Sequence, residues 1–103
     1  MLWSTQMSER HQPDAISIEK FVHFAHYIRF VSCDPAKNRN RFYLLSWQPT
    51  LDGRAVLIST WGRLGTPGRS RVMCYREQAD VQDIIAQIIR RRLQRGYRVV
   101  EWR

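Results

Sequence analysis

Acidic side chains are scarce in this chain, with 9 Asp and Glu against 17 Lys and Arg and a formal net charge of +8. A surface with that surplus draws polyanions and repels cationic substrates. Cysteine is scarcer still: Cys33 and Cys74 form no C-x-x-C pattern, so no zinc framework is spelled out, and a disulfide between them is open to the sequence but less expected than free thiols. The start, Met1 to Arg10, lacks the charged and apolar regions of an export signal. Both thiols are therefore read as reduced and buried, and the protein as intracellular and cytoplasmic. Long apolar runs are missing as well. The nearest, Phe21 to Val31, is broken by His23, His26 and Arg29 and falls short of the roughly 20 residues of a membrane span.

Groups that carry catalysis are equally thin. Of the three histidines, His11 lies in a polar leader, and His23 and His26 point to opposite faces if their segment is a strand. Two histidines without a third ligand make no metal site, and no cofactor is expected. The run Gly62-Arg63-Leu64-Gly65 joins strand to strand, whereas a phosphate-cradling loop joins strand to helix. No Ser or Cys sits beside an evident base. The chain is read as non-enzymatic.

What the chain does have is positive charge in its middle. Residues 35–76 carry 8 basic and 1 acidic side chain, whereas residues 1–34 carry 3 and 4, and residues 77–103 carry 6 and 4. All the cations except Lys20 and Lys37 are arginines, whose planar fork matches phosphate better than an ammonium does. The length of 103 residues fits one domain. Residues 1–19 are read as a poorly ordered leader and 20–103 as the folded unit.

Hydrophobic periodicity supplies the elements. Phe21 to Ser32 is aromatic and β-branched and predicts a strand, followed by a basic loop, Cys33 to Asn40. Arg41 to Gln48 and Arg54 to Trp61 predict two more strands, with Asp52-Gly53 in the hairpin loop between them. A glycine-rich turn, Gly62 to Gly68, leads to a fourth strand, Arg69 to Tyr75. The period then changes: Val81, Ile84, Ile85, Ile88, Ile89 and Leu93 fall on one stripe of a helix from Glu77 to Arg95, with Gly96 as its stop. Tyr97 to Trp102 alternates and predicts a short edge strand. The fold class that follows is α+β, a single antiparallel sheet of four to five strands packed against one long amphipathic helix.

One constellation stands out: Trp61-Gly62-Arg63-Leu64-Gly65, followed by Gly68-Arg69-Ser70-Arg71. Asn40 precedes the aromatic pair Phe42-Tyr43, and a basic turn runs from Arg92 to Tyr97. In order and spacing, the stretch from about Phe30 to Tyr97 resembles the WGR domains of DNA-dependent poly(ADP-ribose) polymerases and of many bacterial proteins. That resemblance implies a module that contacts the 5′ end at a DNA break, its Trp packing on the terminal sugar and its Arg linking DNA to neighbouring domains. Carried over residue by residue, it makes Trp61 the end-stacking residue and Arg63 the phosphate or relay contact. Asn40, Arg92 and Tyr97 become contacts to the nucleic-acid backbone. No catalytic domain or zinc finger accompanies the motif in this sequence, so action in trans is expected.

The physical fit is direct. A stacked indole contributes about 1–3 kcal/mol per nucleotide, Gly62 lets a ligand backbone come close, and Arg63, two residues on in a strand, shares the face of Trp61. Lys37, Arg39, Arg41, Arg69 and Arg71 extend an electrostatic track along phosphates without reading bases. Each residue has a structural rival role: Trp61 in the core, Arg63 on loop carbonyls, Asn40 in a turn, Arg92 on a solvated helix face, Tyr97 against the sheet. The expected partner is nucleic acid, DNA ahead of RNA. The alternative is a protein-interaction adapter acting on a partner chain, with a homodimer through Tyr97 to Trp102 as a variant.

Overall fold

The computed structural model describes residues 23–75 and 77–103; the leader expected over residues 1–19 lies outside them. The strands are β1 (Tyr27–Asp34), β2 (Arg39–Pro49), β3 (Ala55–Arg63), β4 (Arg69–Tyr75) and β5 (Arg98–Trp102), with the helix α1 (Gln78–Gln94) between the last two. They form one antiparallel sheet in the order β4-β3-β2-β1-β5. Strands β1 to β4 are consecutive neighbours, as short connections require, and β5 returns to pair with β1 at the edge.

Both ends of β1 differ from the expectation. The strand begins at Tyr27; Phe21 and Val22 lie outside the described residues, and His23 and His26 precede the strand and are exposed. The His26 carbonyl still accepts the Trp47 N–H at 3.3 Å, but two residues earlier the carbonyl of Phe24 turns to the indole N–H of Trp47 at 3.1 Å instead of to a strand backbone. At the other end the basic loop expected over Cys33 to Asn40 is mostly sheet, because Cys33 pairs with Asn40 and Asp34 with Arg39. Only a tight turn, Pro35–Lys37, remains between the strands. The Asp34 carboxylate caps it by accepting from the Ala36 N–H at 3.2 Å, and Asn38 closes it at φ 52°, a left-handed conformation that asparagine tolerates. Cys33 is a free, exposed thiol, not a buried one, since it stands at a strand end on the face that the helix does not cover. The reading for the Cys74 side chain lies outside the described residues.

The core forms where the helix meets the sheet. Val81, Ile85 and Ile89 are fully buried and pack on Ile28, Phe30, Leu45, Ala55 and Leu57, while Ile84, Ile88 and Leu93 flank them half-buried. Burying an isoleucine side chain contributes roughly 1.5–3 kcal/mol, so this stripe alone accounts for docking of the helix. The helix ends at Gly96, φ 89°. There the Gly96 N–H reaches the Leu93 carbonyl at 3.1 Å and the Tyr97 N–H the Arg92 carbonyl at 3.0 Å, a left-handed helix stop that satisfies the last carbonyls. Its consequence is positional: Tyr97 is turned down onto the sheet and is only 8% exposed. No helix among the described residues is long and apolar enough to cross a membrane.

Candidate nucleic-acid interface

Strand alternation decides what shares a surface. Leu45 of β2 and Leu57 of β3 face the helix, so every second residue from them does too. Counting along β2 puts Tyr43, Arg41 and Arg39 on that face, and counting along β3 puts Ser59, Trp61 and Arg63 there. Register aligns them: Tyr43 opposes Trp61, and Arg41 opposes Arg63. On the next strand Arg69 opposes Trp61 and Arg71 opposes Ser59. The helix buries the half of this face that carries Leu45, Ala55 and Leu57. The other half carries five arginines around one indole.

Trp61 is 37% exposed and stands between two concavities. A groove of ≈ 730 Å³ is lined by Arg41, Arg63, Arg69, Tyr97 and the Thr66 to Gly68 turn, with Trp61 as one wall. A second groove, ≈ 410 Å³, lies on the helix side of the same tryptophan. Beyond the first, Lys37, Asn38, Arg39, Arg41 and Arg63 line a shallower basin. Among the described residues no carboxylate lines any of the three. Among the described residues the ion pairs are Arg54 with Asp52 and Arg103 with Glu101, both away from this face. A cluster of guanidinium groups left uncompensated by the protein is costly in self-repulsion and is relieved by an anion.

Aromatic rings hold part of the cluster in place. The Arg92 guanidinium carbon lies 4.6 Å from the centre of the Tyr43 ring and 5.3 Å from that of Tyr97, and Arg39 lies 5.8 Å from Tyr97. The Nε atoms of Arg39 and Arg92 are buried without a hydrogen-bond partner, so attraction to the rings is what offsets their loss of water. Tyr43 is itself locked, its hydroxyl donating to Ser59 Oγ at 2.9 Å. Arg39 also donates from Nη2 to the Arg95 carbonyl at 3.2 Å, which ties β2 to the helix end. Among the described residues the Arg63 guanidinium reaches the Asn38 side-chain oxygen, at 3.4 Å.

A model of the WGR domain matches residues 26–102. The chain belongs to the WGR family. WGR domains are modules of the nucleic-acid-binding type and are non-catalytic. The chain is also similar to the uncharacterised protein y4dW of Sinorhizobium fredii (strain NBRC 101917 / NGR234), 35% identical over 65 residues. The alignment covers 63% of this chain and 32% of that protein, so the region it shares is about a third of the relative's length. No solved structure matches.

The WGR face brings together Trp61, Arg63, Arg39, Arg41, Arg69, Arg71, Arg92 and Tyr97, with Lys37 exposed at its rim. It does not bring in the Asn40 side chain. Asn40 opposes Cys33 and alternation turns it to the other side of the sheet; its backbone carbonyl instead accepts the Leu64 N–H at 3.0 Å and anchors the strand leaving the motif. Gly62 lines the groove, but a Cβ there would lie 2.7 Å from Gly68 Cα. Its missing side chain serves the close approach of the turn to its own strand. Sequence reasoning missed Asn38, Gln87 and Arg91. Asn38 carried a signal, since Asp34-Pro35 and Asn38 spell a tight turn; the two helix residues carried none, because their place depends on how the helix lies across the sheet. Among the described residues no group of three or more His, Cys, Asp or Glu is placed to hold a metal.

Proposed function

We propose that this WGR chain is a non-catalytic, cytoplasmic DNA-binding module that recognises ends, nicks or 5′ phosphates, with Trp61 packing on the terminal nucleotide and Arg63 on its phosphate. The observation that carries this reading is the juxtaposition of an exposed indole with Arg41, Arg63 and Arg69 around one groove that, among the described residues, no carboxylate lines. A flat apolar wall beside fixed cations suits a strand terminus, where the last sugar or base has no neighbour to stack on. An internal base pair of a continuous duplex presents no such open face. The arginines would follow the backbone without sequence preference.

The test compares affinities, by fluorescence anisotropy, for a 5′-phosphorylated nicked duplex, a blunt duplex and a closed circular competitor. Nicked and blunt DNA are expected to bind at least tenfold more tightly than an equal length of closed circle. Four to six phosphate contacts imply a slope of about −4 to −5 in log affinity against log salt. Raising salt from 50 to 200 mM should then cost about a hundredfold or more. Equal affinity for closed and nicked DNA removes end recognition, and no binding to any of the three removes the nucleic-acid reading.

A further inference from the structure

The first groove accounts for one side of Trp61. On its other side the second groove runs between α1 and strands β3 and β4, with Tyr43, Met73 and Ile88 forming an apolar floor and Arg71, Gln87 and Arg91 along its rim. The floor exists because alternation places Met73 on the helix side of β4 and the helical period places Ile88 above it. The rim exists because Gln87 and Arg91 are four residues apart and share a helix face; both are exposed.

We propose that this second groove holds one unpaired nucleotide of the strand whose terminus meets Trp61, so that the substrate is an end with a short single-stranded extension. The inference rests on the nucleic-acid reading above and names the class of end. Its volume of ≈ 410 Å³ lies in the range of sites for a single small organic group, about 300–1,000 Å³. The chemistry is that of a nucleotide: a flat apolar surface for the base, an amide at Gln87 that both donates and accepts at a base edge, and two free-standing arginines for the phosphate. Trp61 borders both grooves, so a strand that follows the arginines of the first passes the indole and leaves its next base in the second. A peptide segment would face three arginines there, counting Arg92, with no carboxylate among the described residues to take its own basic groups.

The experiment compares a blunt 5′-phosphorylated duplex with the same duplex carrying one to three unpaired nucleotides, on the 5′ strand in one arm and on the 3′ strand in the other. One extension is expected to bind about fivefold or more tightly than the blunt end, the lower bound of what stacking a base on an aromatic protein surface supplies. Arg91→Glu should bring that ratio close to one. Arg90→Glu, an equal charge change at an exposed position outside the groove, should lower all affinities together and keep the ratio. Blunt and extended ends binding equally, or a ratio that Arg91→Glu leaves unchanged, overturns the inference while end recognition stands. Loss of binding to every DNA overturns both.

Discussion

Replacing Trp61 and Arg63 together by alanine is expected to weaken binding to a 5′-phosphorylated nicked duplex by about a hundredfold or more. Base or sugar stacking on an aromatic ring is worth about 1–3 kcal/mol, and a hydrogen bond to a charged group about 1.5–3 kcal/mol. Their sum spans roughly sixtyfold to twenty-thousandfold. The fold should survive the change, since Arg63 is exposed and Trp61, 37% exposed, gives up only part of a large side chain's burial, about 1–2 kcal/mol. The single variants separate the two contributions. The effect of Arg63→Ala should shrink as salt rises, because it is coulombic, whereas that of Trp61→Ala should not. A double variant that binds within twofold of the parent protein removes the motif from the interface.

The second large effect is on stability. Gly68→Ala is expected to lower the melting temperature, followed by circular dichroism, by more than about 10 °C. Gly68 sits at φ 74°, and a Cβ there would run into the Trp61 carbonyl oxygen and the Phe42 ring. The backbone conformation costs an L-residue roughly 1–2 kcal/mol and overpacking roughly 1–3 kcal/mol more. A domain of this size has only about 5–15 kcal/mol in total. Gly65→Ala is the control: φ is 87° but nothing lies within 4 Å of its Cβ, so only the backbone cost applies and the loss should be about 1–2 kcal/mol. Equal losses at the two glycines would mean that the close approach of the turn to β3 and Phe42 contributes nothing. The turn matters to function because Gly68 packs against the backbone of the residue that carries the exposed indole.

How much of this was legible in the chain depends on the range of the interaction. The helix was legible because Val81, Ile85 and Ile89 repeat with the helical period, and its end because Gly96 marks it. Strands β2 to β4 were legible from alternation and from Asp52-Gly53, although β2 starts two residues before Arg41 and β3 runs two residues beyond Trp61. Those extensions come from pairing, which composition does not report: Cys33 and Asp34 supply partners for Asn40 and Arg39. They also matter most for the site. Once these four residues, Arg39, Arg41, Trp61 and Arg63, lie on regular strand, alternation puts Arg39 with Arg41 and Trp61 with Arg63. The pairing of Arg41 with Arg63 puts both pairs on one face, and alternation sends the Asn40 side chain to the other. The place of β5 beside β1, and the groove under Gln87 and Arg91, are set by packing between distant segments and left no mark on local pattern.

The proposed DNA-docking surface is open to a direct measurement. Amide and indole signals of the ¹⁵N-labelled protein, followed by NMR during titration with a short 5′-phosphorylated nicked duplex, report every contacted residue at once. The Trp61 indole and the backbones of Arg41, Arg63 and Arg69 are expected to shift most, with Arg39 and Tyr97 following. Shifts confined to the helix-free face around Ile58 and Val72, which oppose each other across β3 and β4, with the Trp61 indole unmoved, would contradict it.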